Sequence, residues 1–170
     1  MIYPFSEGLI GRAEGVLSWG PSSYGYDIRL GSEFKRPKDP WIALDPKTVT
    51  ERQYKVFTKR EPFDMAPGEF LLGCSVERFR IPRDMLVIST NKSTYARCSL
   101  NASLNTVMEP EWEGVLTIEL ANHGQNPVRI YPGEGIMQLI FLRGDDACLM
   151  SYADRRGKYM GQSGVTIPKV

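Results

Sequence analysis

The stretch Val115-Leu116-Thr117-Ile118-Glu119-Leu120-Ala121 decides the fold. Side chains of an extended chain point alternately to opposite faces, so Leu116, Ile118 and Leu120 form one apolar stripe, while Val115, Thr117, Glu119 and Ala121 share the other face. The same short apolar or alternating runs recur between Gly, Pro and Asn punctuation, and helical periodicity is nearly absent. Further strands are predicted at Tyr26 to Leu30, Trp41 to Leu44, Glu69 to Phe79, Met85 to Thr90, Val128 to Tyr131, Ile136 to Leu142 and Ala147 to Tyr152. Pro-Gly pairs at 67–68 and 132–133 and His123-Gly124 mark turns. This is an all-β pattern with the strand spacing of a sandwich or jelly roll. One segment departs from it: Ser93-Thr94-Tyr95-Ala96-Arg97 reads as a short helical turn capped by a hydroxyl. Residues 32–66 read as a long excursion with one or two edge strands. The tail from Arg155 spaces Gly157, Gly161 and Gly164 among polar groups, so a mobile segment able to close over something is expected there rather than core.

The 170 residues suit one compact domain, and 42% hydrophobic with 24% charged residues is an ordinary globular composition. Twenty-one Lys and Arg against 20 Asp and Glu leave a net charge of +1, so no global field draws a polyanion and no nucleic-acid partner is expected. Cys74, Cys98 and Cys148 are an odd number without close pairing, and the opening Met1-Ile2-Tyr3-Pro4-Phe5 has neither a basic nor an apolar leader region. A reduced, cytoplasmic protein is expected. No apolar run approaches the roughly 20 residues that cross a bilayer. The single histidine, His123, and the lack of any Cys-x-x-Cys or His-x-Glu leave out the ligand set with which zinc hydrolases activate water.

Several side chains are candidates for chemistry. Glu119 lies among apolar neighbours; cover over that face would desolvate it and raise its pKa toward the range useful for proton transfer, whereas an uncovered face would make it an ordinary solvated strand residue. Ser93 and Arg97, four apart, project from one side of a helical turn, a hydroxyl beside a guanidinium, though a capped surface turn has the same pattern. Lys158, Tyr159 and Gln162 offer an ammonium, a phenol and an amide on the glycine-spaced tail, a set suited to phosphate or to a frayed end. His123 reads as structural in a hairpin-like loop. Glu109, Glu111 and Glu113 line a wet strand edge or hold Mg²⁺ weakly.

Five segments together resemble the dCTP deaminase family: Gly20 to Gly31 (GPSSYGYDIRLG), Phe79 to Asp84 (FRIPRD), Lys92 to Cys98 (KSTYARC), Glu109 to Asn122 (EPEWEGVLTIELAN) and Gly157 to Thr166 (GKYMGQSGVT). The resemblance runs from about residue 2 to the end of the chain and is weakest across 36–66. It implies a dUTPase-like distorted jelly roll or β-barrel with one short helix, assembled as a homotrimer with active sites between subunits. The β domain would occupy 1–154 and a C-terminal lid 155–170.

The resemblance also implies zinc-free hydrolytic deamination of dCTP to dUTP, with Mg²⁺ bound through the triphosphate. Glu119 would be the general base and acid, Ser93 would position the water, and Arg97 would hold Glu119 and the polar edge of the base. Lys158, Tyr159 and Gln162 match the tail that closes on the triphosphate, Tyr152 a sugar or phosphate contact, and Lys92 a basic phosphate position. Glu109 falls beside the sugar, where it would discriminate deoxyribose from ribose. Feedback inhibition by dTTP would involve Thr106 and its neighbours. Related readings are a dUTPase or bifunctional enzyme with Glu109 activating a water, a deaminase of dCMP or a 5-modified cytosine nucleotide, and a catalytically silent nucleotide-binding regulator. Two departures stand out: Asn91 and Ser99 replace glycines common in the family, and serine takes left-handed geometry less readily than asparagine.

Overall fold

The computed structural model describes residues 1–104 and 107–170; Thr106 lies outside the described residues. The strands, in chain order, are β1 (Ile2–Tyr3), β2 (Gly20–Pro21), β3 (Gly25–Arg29), β4 (Glu33–Pro37), β5 (Tyr54–Thr58), β6 (Phe63–Met65), β7 (Phe70–Arg80), β8 (Met85–Asn91), β9 (Leu100–Asn101), β10 (Val107–Met108), β11 (Glu113–Asn122), β12 (Val128–Ile130) and β13 (Gly135–Arg143). The predicted helix is α1 (Ser93–Ala96). One sheet runs β5-β4-β7-β11-β9 with β1 added on β7, a second runs β10-β8-β13-β3-β2, and β12 pairs with β6. The sheet pairings are antiparallel.

Period-two alternation builds the core between the two large sheets. Phe34, Leu71, Ile118 and Leu120 face Tyr26, Ile28, Met137 and Leu139, all at most 2% exposed. Opposite Leu116, β7 bulges: Val115 pairs with Arg78 but Thr117 with Cys74. The Ser75 hydroxyl closes the gap, accepting the Leu116 N–H at 2.9 Å and donating to the Glu77 carbonyl at 2.6 Å. The Glu77 carboxylate, fully buried, accepts both the backbone N–H and Nε of Arg29, tying the bulge to β3 of the second sheet.

Two expected strands are absent. Trp41 to Leu44 is an irregular loop, because the Asp39 carboxylate takes the Trp41 N–H and Asp45 takes those of Lys47, Thr48 and Val49 through side chain and backbone. Local bonds of this kind satisfy backbone donors that a ladder would otherwise use. At 147–152 the Ser151 and Asp154 side chains cap each other's N–H groups and fold the chain into turns. The excursion 32–66 holds three strands rather than one or two. Of these, β4 is interior to its sheet, and Phe34, Phe57 and Phe63 pack ring against ring. The His123 turn does not close a hairpin, since β12 pairs with β6 and not with β11. There Asn122, 1% exposed, donates to the carbonyls of Met65, Ala66 and Asn126 and so directs the chain out of the sheet.

The tail docks on the sheet through few residues: from Arg155 onward only Gln162 and Val165 are buried. Val165 is 4% exposed against Tyr54, Leu72 and Cys74, and burial, with Glu33 nearby, pushes the Cys74 thiol up to about 11. Glycine spacing and polarity concealed this, because only Val165 and Ile167 carry the apolar contact.

Candidate active site

The outer face of β11, carrying Val115, Thr117 and Glu119, is covered in part by the chain's own tail. The Gly161 N–H donates to the Glu113 carbonyl and the Val115 N–H to the Gln162 carbonyl, both at 2.8 Å, so the tail adds to the sheet as a short parallel bridge. Trp112 Nε1 donates to the Tyr159 carbonyl at 3.0 Å, and the Val165 N–H reaches the Glu33 carboxylate at 3.3 Å. Between this tail and the excursion lies a cavity of about 560 Å³, within the range of small-molecule sites. Thr117 and Glu119 lie along β11 at one side, the tail from Lys158 to Pro168 forms one wall, and Leu44, Pro46, Val49 and Tyr54 form another. Glu109, Trp112 and Tyr152 also line it. Burial, with Glu51 nearby, pushes the Tyr54 phenol up.

Six candidates from the sequence thus converge on one cavity: Glu119, Glu109, Tyr152, Lys158, Tyr159 and Gln162. Glu119 is half-buried there. Tyr152 accepts the Tyr159 N–H on its hydroxyl at 2.9 Å, and its ring lies 5.9 Å from the Arg155 guanidinium carbon. Arg155 in turn pairs with Glu109. The Lys158 ammonium sits 5.4 Å from the Tyr159 ring centroid. Gln162 is buried on β11.

Lys92, Ser93 and Arg97 do not line the cavity. Ser93 opens α1 and Arg97 follows its last residue; both are exposed, and an Arg97 Nη donates back to the Ser93 carbonyl at 3.3 Å. Ser93 does not cap the helix: the N-cap position belongs to Lys92, and no side-chain cap bond forms. Lys92 is buried, its ammonium donating to Ser18 Oγ at 2.8 Å and ion-paired with Asp27. Ser99, just beyond the helix, takes φ 64°, the left-handed conformation that glycine would adopt more cheaply. Asn91 brackets the following strand, donating to the Leu100 carbonyl at 2.7 Å and accepting the Ala102 N–H at 3.0 Å.

The three neighbouring carboxylates do not form a metal cage. Glu109 pairs with Arg155, Glu111 with Arg83 and Glu113 with Arg78, and the Arg78 guanidinium holds the Glu113 carboxyl below its usual range. Among the described residues no group of three or more His, Cys, Asp or Glu side chains is arranged for a metal ion. His123 is exposed, and its backbone N–H donates to the Ser99 carbonyl. Sequence reasoning missed Trp112, Arg155 and the 44–49 wall. It also passed over Thr117, although its place two residues before Glu119 on the same face was readable.

A model of the dCTP deaminase-like family matches residues 1–144. A relative named dCTP deaminase from Acidobacterium capsulatum is 46% identical over 171 residues, covering 100% of this chain and 91% of its own. Among solved structures, 2'-deoxycytidine 5'-triphosphate deaminase from Agrobacterium tumefaciens superimposes with a TM-score of 0.59 at 18% identity, over 72% of this chain and 40% of that longer one. The dUTPase of Staphylococcus bacteriophage 80alpha gives a TM-score of 0.51 at 15% identity, over 88% of this chain and 92% of its own. These two likenesses show a shared dUTPase-like fold.

Proposed function

Because the chain belongs to the dCTP deaminase-like family, we propose that it hydrolyses the 4-amino group of dCTP, giving dUTP and ammonia. The observation that carries this reading is a carboxylate, Glu119, in a partly apolar cavity that also holds the ammonium, phenol and amide of the tail. Glu119 takes a proton from a water whose oxygen bonds to C4 of the cytosine. That proton passes to N3, the second water proton goes to the amino nitrogen, the C4–N bond breaks, and ammonia leaves as the C4 carbonyl forms. Such proton shuttling supplies typically ~10²- to 10⁴-fold, so positioning and fixed hydrogen bonds supply the rest.

One histidine and three scattered cysteines offer no zinc-activating set. Mg²⁺ enters as part of the substrate, on the triphosphate, since the nearby carboxylates are committed to arginines. Lys158, Tyr159 and Tyr152 meet the phosphates and sugar, and Glu109, oriented by Arg155, meets the deoxyribose edge. Ser93 and Arg97 stand exposed outside the cavity, which supports a homotrimer in which α1 of one copy completes the site of another. There Ser93 holds the attacking water and Arg97 the carboxylate and the base. Free thiols at all three cysteines fit a cytoplasmic enzyme of deoxynucleotide supply, with dTTP as a competing ligand.

The test uses purified protein with dCTP and Mg²⁺. Glu119→Gln and Arg97→Ala variants should each be inactive, and refolding them together should restore part of the activity, because some mixed sites then receive both native groups. Deamination by Glu119→Gln alone would overturn the mechanism, and a mixture without activity would overturn the shared site.

A further inference from the structure

Among the described hydrogen bonds, Thr117 is the one β11 side chain that binds the tail at two points. Its hydroxyl donates to Gln162 Oε1 at 2.7 Å and accepts the Thr166 N–H at 3.0 Å, so one side chain of β11 grips two points of the tail four residues apart. Gly114 supplies the clearance beside it. At φ 155°, a Cβ at this position would lie 2.9 Å from the Gln162 nitrogen and 3.1 Å from its carbonyl oxygen, a separation that side-chain carbons do not tolerate against backbone. The parallel bridge between Gly114 and Gln162 exists because that space is empty.

We propose that Thr117 is a positioning residue: it sets the register of the tail on β11 and turns the Gln162 amide so that its N–H groups, not its oxygen, serve the cavity. The inference rests on the cavity being the nucleotide site. A hydroxyl carries one hydrogen. With the Thr166 N–H on a Thr117 lone pair, that hydrogen goes to the amide oxygen of Gln162, which leaves the amide nitrogen as donor. Gln162 lines the cavity, so its ligand partner is an oxygen acceptor, whether a phosphate oxygen or the carbonyl of the pyrimidine.

Three variants of the full chain test this: Thr117→Val, Thr117→Ser and Gln162→Glu. Each is read by the rate of tryptic cleavage at Arg155, Arg156 and Lys158 and by kcat and KM for dCTP. Thr117→Val keeps the shape but loses both bonds, so cleavage and KM should each rise about tenfold, with kcat at saturation nearly unchanged. Thr117→Ser restores the hydroxyl and should behave as wild type. Gln162→Glu still accepts the Thr117 hydroxyl but offers no donor, so KM should rise while cleavage stays at the wild-type rate. Comparing dCTP, dCMP and deoxycytidine locates the acceptor: a penalty that fades with the phosphates assigns a phosphate oxygen, and a constant one assigns the base.

Wild-type cleavage and KM in Thr117→Val would overturn the proposal. So would a raised KM with unchanged cleavage, which would mean that Thr117 touches the substrate itself. If the wild type deaminates no cytosine nucleotide while Thr117→Val still loosens the tail, the nucleotide reading falls and the fastening stands.

Discussion

Lys92 offers the sharpest test of the reasoning, because the family resemblance places it on a phosphate whereas the fold commits it to Asp27. The two side chains are 9% and 11% exposed, Asp27 Oδ2 has the ammonium and a distant Ser18 hydroxyl at 3.5 Å, and Asp27 Oδ1 meets no donor among the described residues. Lys92→Met therefore strands a buried carboxylate. Breaking such a pair costs about 3–5 kcal/mol, a large share of the roughly 5–15 kcal/mol that holds a typical domain. At about 2–4 °C per kcal/mol for a chain of this size, the melting temperature should fall by roughly 6–20 °C.

The second limb of the test removes the charge as well. Replacing a buried ion pair by apolar residues of similar volume is often neutral or stabilising, so Asp27→Leu with Lys92→Met should recover most of the loss. Thermal unfolding at neutral pH of the two single variants and the double variant closes the cycle and yields the coupling between the side chains. Because Lys92 is the N-cap residue of α1, loosening it should also lower kcat through Ser93, the residue that holds the attacking water. If Lys92→Met melts within about 1 kcal/mol of wild type and instead raises KM for dCTP, with no recovery in the double variant, the ammonium serves the ligand and the reasoning fails.

Two further outcomes follow from backbone and burial. Ser99→Gly relieves a left-handed serine at φ 64° and should stabilise the protein by about 0.5–1 kcal/mol, the relief being partly offset by the freer unfolded chain; a loss of melting temperature would show that the serine side chain contributes more than its backbone costs. Cys74 is a neutral thiol held up to about 11 against an ordinary 9.0, so the folded state favours its protonated form. That contribution, on the order of 2–3 kcal/mol, is complete below pH 9 and is lost as pH rises through 11. Urea midpoints between pH 8 and 11 should fall less steeply for Cys74→Val than for wild type, and parallel curves would rule the thiol out.

The strands around the core were readable because their signal is local: Leu116, Ile118 and Leu120 show their shared face in seven residues. The convergence of Glu119 with Glu109, Tyr152 and the tail was readable only through the family resemblance, since no periodicity relates residues so far apart in sequence. Trp41 to Leu44 misled because apolar content and β-branching favour a strand, while Asp39 and Asp45 compete for its backbone at closer range. The pairing of Lys92 was not legible either: nothing in KSTYARC shows that Asp27, 65 residues earlier, faces it across the second sheet. The docking of the tail was not legible, for want of an apolar stripe. It is held by Thr117, Glu33 and the backbone of β11, partners that only the fold brings to it.

The placement of Glu119 and the stability of the fold are one constraint. A strand presents alternate residues to alternate faces, so the contacts that bury Ile118 and Leu120 also turn Glu119 outward and Thr117 with it. A slip of one residue in β11 would drive a carboxylate into the core and expose two large aliphatic groups, which costs more than the chain can bear. The bulge at Ser75 and Glu77 lets β7 bend while β11 keeps its register through this stretch, since the Ser75 hydroxyl supplies the bond to Leu116 that the ladder omits. Loosening the bulge, unlike trimming the cavity, should therefore weaken folding and activity together, because the same pairing holds the inner aliphatic stripe and the outer carboxylate.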